Sequence, residues 1–211
     1  MLIRLSCHKL IAYFCRSNQH NMKLSKQIII FFFVLVVIST LVKLFCAPQI
    51  NFSGFTAVIA VSLFAGLTIN DKKLAFLFPL LTLFISDVLL QILHAINVFP
   101  YEGFYSGQII NYILFVLLTL IGIAFKNYKT AGIVAAAFVG PTVFFLLSNF
   151  VVWNTQAEIM GYNKDISGLW QSYSFGLPFY RNSLISTLIF LPAFIALYNR
   201  MRYGRFSLAH A

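Results

Sequence analysis

The sequence predicts an all-α integral membrane protein: a bundle of six transmembrane helices with both termini in the cytoplasm. Hydrophobic residues make up 60% of the 211 positions and charged residues only 9%, which is too few to cover the surface of a soluble domain of this size. The apolar residues fall into long runs, and the basic residues gather in alternate connections between those runs. Together these patterns are typical of a multi-pass membrane protein.

Six apolar runs approach or exceed the roughly 20 helical residues that cross a hydrocarbon core. They cover residues 27–46, 54–70, 74–93, 108–125, 130–153 and 182–199. The second run is the least hydrophobic, because glycine and alanine recur along it. Small residues allow helices to approach closely, so this run is predicted to be a packed inner span.

The lysines and arginines set the orientation. With the N-terminus inside, twelve of them lie on the cytoplasmic side, and three lie on the outer side, namely Lys43, Lys164 and Arg181. This positive-inside bias predicts a multi-pass membrane protein with both termini in the cytoplasm. The lipid bilayer is therefore an expected partner. Nucleic acid is not, because such binding needs a continuous solvated basic face.

The membrane domain is predicted to cover residues 22–199, and its flanks differ from it. Residues 1–21 are interrupted by basic and histidine side chains too often for a span, and no signal cleavage site follows them. Two interpretations stay open: a surface anchor, or a start site assigned upstream of Met22. Residues 200–211 are predicted to be a basic cytoplasmic tail. The connection at 154–181 is predicted to be an aromatic outer loop that folds back over the bundle.

Asp87 is the one acidic residue inside a long apolar run. A carboxylate at membrane depth costs several kcal/mol unless it meets a partner or a water-filled cavity. Gln91 and His94 follow at i+4 and i+7 and share its helix face, which points towards the outer surface. Asn149 and Trp153 share a face near the outer end of the fifth run. These side chains predict a small solute-binding pocket that is open to the outside.

Enzyme chemistry is not expected. The sequence has none of the common protease, hydrolase or phosphate-binding motifs, and the cysteines lack metal-ligand spacing. Ser86, Asp87 and His94 are the residue types of a hydrolytic set, but Ser86 points about 100° away from Asp87 on the same helix. We therefore expect no catalytic residues, no metal and no cofactor.

Two roles for Asp87 remain open. It either binds a solute or protons in the pocket, or it pairs with a basic side chain within the fold, for which Arg181 is the expected partner. The first role favours a membrane transport protein that binds a small solute. The alternative is a non-transporting scaffold or partner subunit of an envelope complex, in which Asp87 would pair with a basic residue of another protein.

Several different short motifs follow one another in a specific order along residues 45–195. They lie at residues 48–57, 62–66, 78–80, 86–87, 144–153, 168–169 and 177–182. Through them the chain resembles a bacterial family of uncharacterised membrane proteins assigned to transport. That family is in turn similar to the substrate-binding S components of energy-coupling-factor vitamin transporters. Those are six-helix proteins with an outward-facing pocket, which is capped by the loop between the first two helices.

The resemblance implies a cap at residues 48–55, which contains Asn51 and Phe52. It also implies a substrate-binding pocket bounded by Asp87, Asn149, Trp153, Tyr180, Arg181 and Asn182. Gln91, which shares the helix face of Asp87, is predicted to belong to the same pocket. An energising membrane module is an implied partner. The first span lacks the Ala-xxx-Ala pattern that often marks the docking surface for that module.

Overall fold

A computed structural model of the protein describes residues 26–105 and 107–208. The predicted non-spanning stretch 1–21 lies outside these residues. The described residues form helices and no strands, which confirms the all-helical class. The α-helices are α1 (Lys26–Cys46), α2 (Val58–Thr68), α3 (Lys72–Ala95), α4 (Gln108–Phe125), α5 (Lys129–Met160) and α6 (Ile166–Tyr203), and two short 3-10 turns lie at Ile50–Phe52 and Lys126–Tyr128.

Four segments are long and apolar enough to cross a membrane: Ile29–Cys46, Lys72–Ala95, Gln108–Met160 and Ile166–Tyr203. The third contains both α4 and α5. The rings of Phe115 and Phe144 lie 5.5 Å apart across these two helices, whereas a straight helix would separate the two residues by about 43 Å. The chain therefore reverses between α4 and α5, and this segment is a pair of antiparallel helices.

The outward faces of the long helices are apolar. On α1, Ile30, Phe33 and Val37 are each more than half exposed, while Phe31 and Leu35 on the opposite face are buried. A soluble protein rarely exposes such a continuous stripe of large apolar side chains. The long apolar helices and their exposed apolar faces indicate a membrane protein.

Helix α2 is the buried centre of the bundle. Its ten residues 58–67 are all buried, and it packs against α3, α4, α5 and α6. A Cβ atom on Gly66 would lie 2.9 Å from the Cα atom of Gly122 on α4, so the two backbones are in close contact. The second apolar run is thus packed inside the bundle, as predicted, but its helix is shorter than the predicted span at 54–70. With 11 residues it is only about 16 Å long, because an irregular segment at 47–57 precedes it.

The prediction of an outer loop at residues 154–181 is wrong, because α5 and α6 both continue into it. Helix α5 ends at Met160 and is followed by Gly161, whose φ of 72° is left-handed and stops the helix. Helix α6 begins after Asp165, whose carboxylate accepts a hydrogen bond of 2.8 Å from the backbone nitrogen of Gly168. The two helices form a long pair that we call the α5–α6 hairpin. A fall in hydropathy ends a predicted span, but it does not by itself end a helix.

The bundle has two ends of different charge. At the basic end, Lys126 donates to the carbonyl oxygen of Ile69 at 2.9 Å and so joins the end of α4 to the connection between α2 and α3. Helix α6 also ends here and extends as far as Tyr203, into the predicted tail. The cavity end contains the ends of α1 and α3, the start of α4 and the irregular segment 47–57. The basic residues at the basic end are Lys72, Lys73, Lys126, Lys129, Arg200, Arg202 and Arg205.

Candidate functional site

A cavity of about 720 Å³ opens at the cavity end, within the range of about 300–1,000 Å³ that small-molecule sites occupy. The irregular segment 47–57 and the connection 96–107 form two of its walls, and α1 to α5 contribute the rest. Most of the lining is apolar. The aromatic residues in it are Phe52, Phe55, Phe99, Tyr101, Tyr105, Phe115 and Phe144.

Lys43 and Asp87 form an ion pair in this cavity. The Nζ atom of Lys43 lies 2.6 Å from Oδ1 of Asp87, and the two side chains are 18% and 7% exposed. The same ammonium donates to Oγ of Ser86 at 2.9 Å. The pair therefore joins α1 to α3. The expectation that Arg181 pairs with Asp87 is wrong, because Lys43 reaches the carboxylate from the end of α1, whereas Arg181 lies exposed on α6.

The second carboxylate oxygen of Asp87 is bound by α4. Nε2 of Gln108 donates to Oδ2 of Asp87 at 2.6 Å, and the hydroxyl of Tyr112 donates to the same oxygen at 3.2 Å. The buried amide of Gln108 also accepts a hydrogen bond of 3.3 Å from the backbone nitrogen of Tyr105. Hydrogen bonds to an ionised group are about twice as strong as neutral ones. The network therefore ties α1, α3 and α4 together around one carboxylate.

The irregular segment 47–57 is held in place by side chains of α6. Nδ2 of Asn182 donates to the carbonyl oxygens of Asn51 and Ser53, each at 2.8 Å. Oγ of Ser183 donates to the carbonyl oxygen of Gly54 at 2.9 Å. These bonds satisfy carbonyl groups that would be costly to leave unpaired away from water. Asn182, predicted to bound the pocket, thus supports the predicted cap from behind.

The connection 96–107 is fixed from the top of α3. Oε1 of Gln91 accepts hydrogen bonds from the backbone nitrogens of Gly103 and Phe104 at 2.9 and 3.1 Å. A Cβ atom on Gly103 would overlap the Asp87 carbonyl oxygen and lie 2.6 Å from the Gln91 nitrogen, so only glycine fits. Gln91 therefore anchors this wall. That this connection covers the cavity was not predicted from the sequence.

Polar side chains from the connection 96–107 and the start of α4 form a polar rim of the cavity. The amide of Asn111 donates to the hydroxyl of Tyr105, and both residues line the cavity. Partial burial raises the pKa of the Tyr105 phenol above its ordinary value. Glu102, which is exposed, adds a carboxylate to the same rim.

The family comparison covers the whole bundle. A model described as "Family of unknown function (DUF6580)" matches residues 22–208. The chain belongs to DUF6580. No curated protein and no solved structure matches the chain. Membership of DUF6580 brings no activity with it, so the resemblance to S components stays a prediction and the function is argued from the cavity.

Five of the nine predicted pocket residues in this DUF6580 member lie in or directly behind the cavity wall. Asp87 and Phe52 line the cavity, while Asn51, Gln91 and Asn182 hold its walls. The other four lie on the α5–α6 hairpin and do not contribute to the lining. Three of these make hydrogen bonds within the hairpin: Asn149 to Phe145, Trp153 to Asn163, and Tyr180 to Thr142. The fourth is Arg181.

The side chains of the site are suited to binding. An ammonium group has three hydrogen-bond donors, and Lys43 uses two of them on Ser86 and Asp87. The third is available to an acceptor in the cavity. Among residues 26–105 and 107–208, no three histidine, cysteine or carboxylate side chains come together to hold a metal ion.

Proposed function

We propose that this DUF6580 protein is a membrane transport protein that binds a small solute in a pocket open to the outer side of the bacterial inner membrane. The observation that carries the proposal is the 720 Å³ cavity with the Lys43–Asp87 pair in its wall. Charged groups inside membrane segments are rare and commonly mark solute or ion pathways. Irregular backbone at membrane depth is tolerated where it lines a cavity, and here two irregular connections do so.

The proposed topology has six spans with both termini in the cytoplasm. The positive-inside rule places the basic end of the bundle in the cytoplasm and the cavity end outside. Helix α2 is too short to cross a hydrocarbon core of about 30 Å alone. We therefore propose that it completes the second span together with the irregular segment 47–57.

The proposed solute has an apolar, planar body and at least one hydrogen-bond acceptor. Aromatic side chains in the lining favour stacking with a planar group, and the remaining donor of Lys43 favours a carbonyl or carboxylate oxygen. The charged groups that line the cavity are Lys43, Asp87 and Glu102, whose formal charges sum to −1. This balance favours neutral, zwitterionic or cationic solutes over anions.

The position of the cap supports the predicted resemblance to S components. Residues 52–56, between α1 and α2, line the cavity, which is where the resemblance implies a cap. The energising module remains a prediction without further support. The outward face of α1 bears large side chains such as Phe33, Val37 and Leu41, where the S-component pattern would place alanines.

A non-transporting scaffold is the alternative. That function would leave Asp87 to pair with a basic residue of another protein and would need no ligand pocket. Two observations favour solute binding instead: Asp87 is paired with Lys43 of its own chain, and the pair lies in a cavity of ligand size.

Thiol accessibility tests whether the cavity opens to the outside. Leu90 is 7% exposed and lines the cavity, whereas Leu118 is 1% exposed and packs in the core. In a chain whose own cysteines are replaced by serine, we expect a small membrane-impermeant thiol reagent to label Leu90→Cys in intact cells. The matched variant Leu118→Cys should stay unlabelled. A cysteine in place of Lys126, at the basic end, should react only after the cells are permeabilised.

Labelling of Leu90→Cys only after permeabilisation would place the cavity on the cytoplasmic side. Equal resistance of Leu90→Cys and Leu118→Cys under both conditions would mean that the cavity is closed to water. Either result would contradict the proposed outward-facing pocket.

A further inference from the structure

A second cavity lies at the basic end, where it opens between α1 and α3. Its volume is about 350 Å³. Leu77 and Leu81 of α3 and Ile29 of α1 form its outer edge and are themselves exposed. The cavity thus opens sideways, towards the surroundings of the bundle, and we call it the lateral groove.

The floor of the lateral groove is a rigid aromatic cluster. Phe31 contacts Phe64 and Tyr198 with ring centroids 5.2 and 5.5 Å apart. Phe78 packs edge-on against Phe32 at 4.9 Å. These rings are held by contacts among four helices, so the groove is preformed. An apolar groove of this kind on a membrane protein suits a hydrocarbon chain.

Two polar side chains lie in the groove where the polar end of a bound hydrocarbon chain would be placed. Thr68 lines the groove, and its Oγ1 atom is buried and has no hydrogen-bond partner among the described residues. A buried hydroxyl without a partner is costly, so a ligand acceptor would satisfy it. Arg202 also lines the groove. Its guanidinium lies 5.7 Å from the ring of Tyr198 and donates to the hydroxyl of that residue, which leaves further donors without a partner among the described residues.

We propose that the lateral groove binds one anionic phospholipid. One acyl chain would lie on the aromatic floor, an ester carbonyl would accept from Thr68, and the phosphate would contact Arg202. Charge favours an anionic headgroup, because Lys72 and Lys73 begin α3 beside the same opening. An arginine or lysine near an anionic lipid surface contributes about 1 kcal/mol, which corresponds to about fivefold in affinity.

Native mass spectrometry of the purified full chain with added lipids tests this site. We expect the wild-type protein to bind one phosphatidylglycerol about fivefold more tightly than phosphatidylcholine. Arg202→Gln should lower that preference, because it should weaken phosphatidylglycerol binding more than phosphatidylcholine binding. Arg205→Gln is the matched control, since Arg205 is exposed and lies outside the groove lining, and it should bind like wild type.

Two further variants separate the groove from general surface charge. Thr68→Val keeps the shape of the side chain and should weaken both lipids equally. Leu77→Trp narrows the entrance and should do the same, and both variants should retain the wild-type preference for phosphatidylglycerol. Equal affinity of the wild-type chain for the two lipids would overturn the proposal. So would an Arg205→Gln effect as large as that of Arg202→Gln, or lipid binding that neither groove variant alters.

Discussion

Replacing Lys43 by methionine is expected to destabilise the protein by about 3–5 kcal/mol, the usual cost of removing one partner of a buried ion pair. The substitution keeps most of the apolar stem of the side chain. It removes the ammonium that lies 2.6 Å from Asp87, so among the described residues the carboxylate would keep Gln108 and Tyr112 as donors. Thermal denaturation in detergent should show a large fall in the midpoint temperature.

A double-mutant cycle isolates the pair from other effects of the substitution. Asp87→Asn should also destabilise the protein, because it leaves the Lys43 ammonium without a counter-charge. The double variant should be more stable than the sum of the two single losses predicts, since no charge is then left unpaired. Arg181→Met is the control and should behave like wild type. A stable Lys43→Met variant, or an unstable Arg181→Met variant, would contradict the observed pairing.

The crossing of α2 and α4 is expected to tolerate no side chain at Gly66. A Cβ atom there would lie 2.8 Å from the backbone nitrogen of Ile123 and 2.9 Å from the Cα atom of Gly122. Backbone atoms of two packed helices cannot move apart without disturbing the whole buried length of α2. Overpacking typically costs about 1–3 kcal/mol, and we expect Gly66→Ala to lie at the upper end of that range in thermal denaturation.

Gly140 on α5 supplies a matched control. It is also buried within a helix, but the three atoms nearest to a Cβ atom there all belong to the side chain of Leu63, with Cδ1 at 2.7 Å. A small rotation of that side chain can relieve the contact. Removing a glycine from a helix interior also stabilises it by about 0.5–1 kcal/mol. Gly140→Ala should therefore cost far less than Gly66→Ala, and equal effects of the two substitutions would show that the Gly66 contact is not specific.

The sequence predicts the long helices well, because their apolar runs are bounded by basic or irregular connections. Helix α1 and helix α4 lie within one residue of the predicted runs at 27–46 and 108–125. The error at 154–181 has a physical cause. That segment is less apolar than the spans, yet most of its backbone is helical, because α5 continues to Met160 and α6 begins at Ile166. Hydropathy reports contact with lipid, whereas helix ends depend on caps.

The site was predictable only in part. Asp87 was identified because a carboxylate inside an apolar run needs a partner. The same argument applies to Lys43, which lies within the predicted first span, but its position near the span end suggested an ordinary flanking charge. The supporting roles of Gln91 and Asn182 could not be predicted, because both bind backbone groups of irregular segments whose paths only the tertiary structure defines.

The binding of a solute is tested most directly by mass spectrometry of small molecules extracted from the purified protein. Ala47 lines the mouth of the cavity and is exposed, so Ala47→Trp should obstruct the cavity without disturbing the core. Ala131→Trp, at an exposed position beside the basic end, is the matched control. We expect one solute to co-purify with the wild-type protein and with Ala131→Trp and to be lost from Ala47→Trp. The same set of small molecules at the same yield in all three proteins would contradict the proposal that this cavity binds a solute.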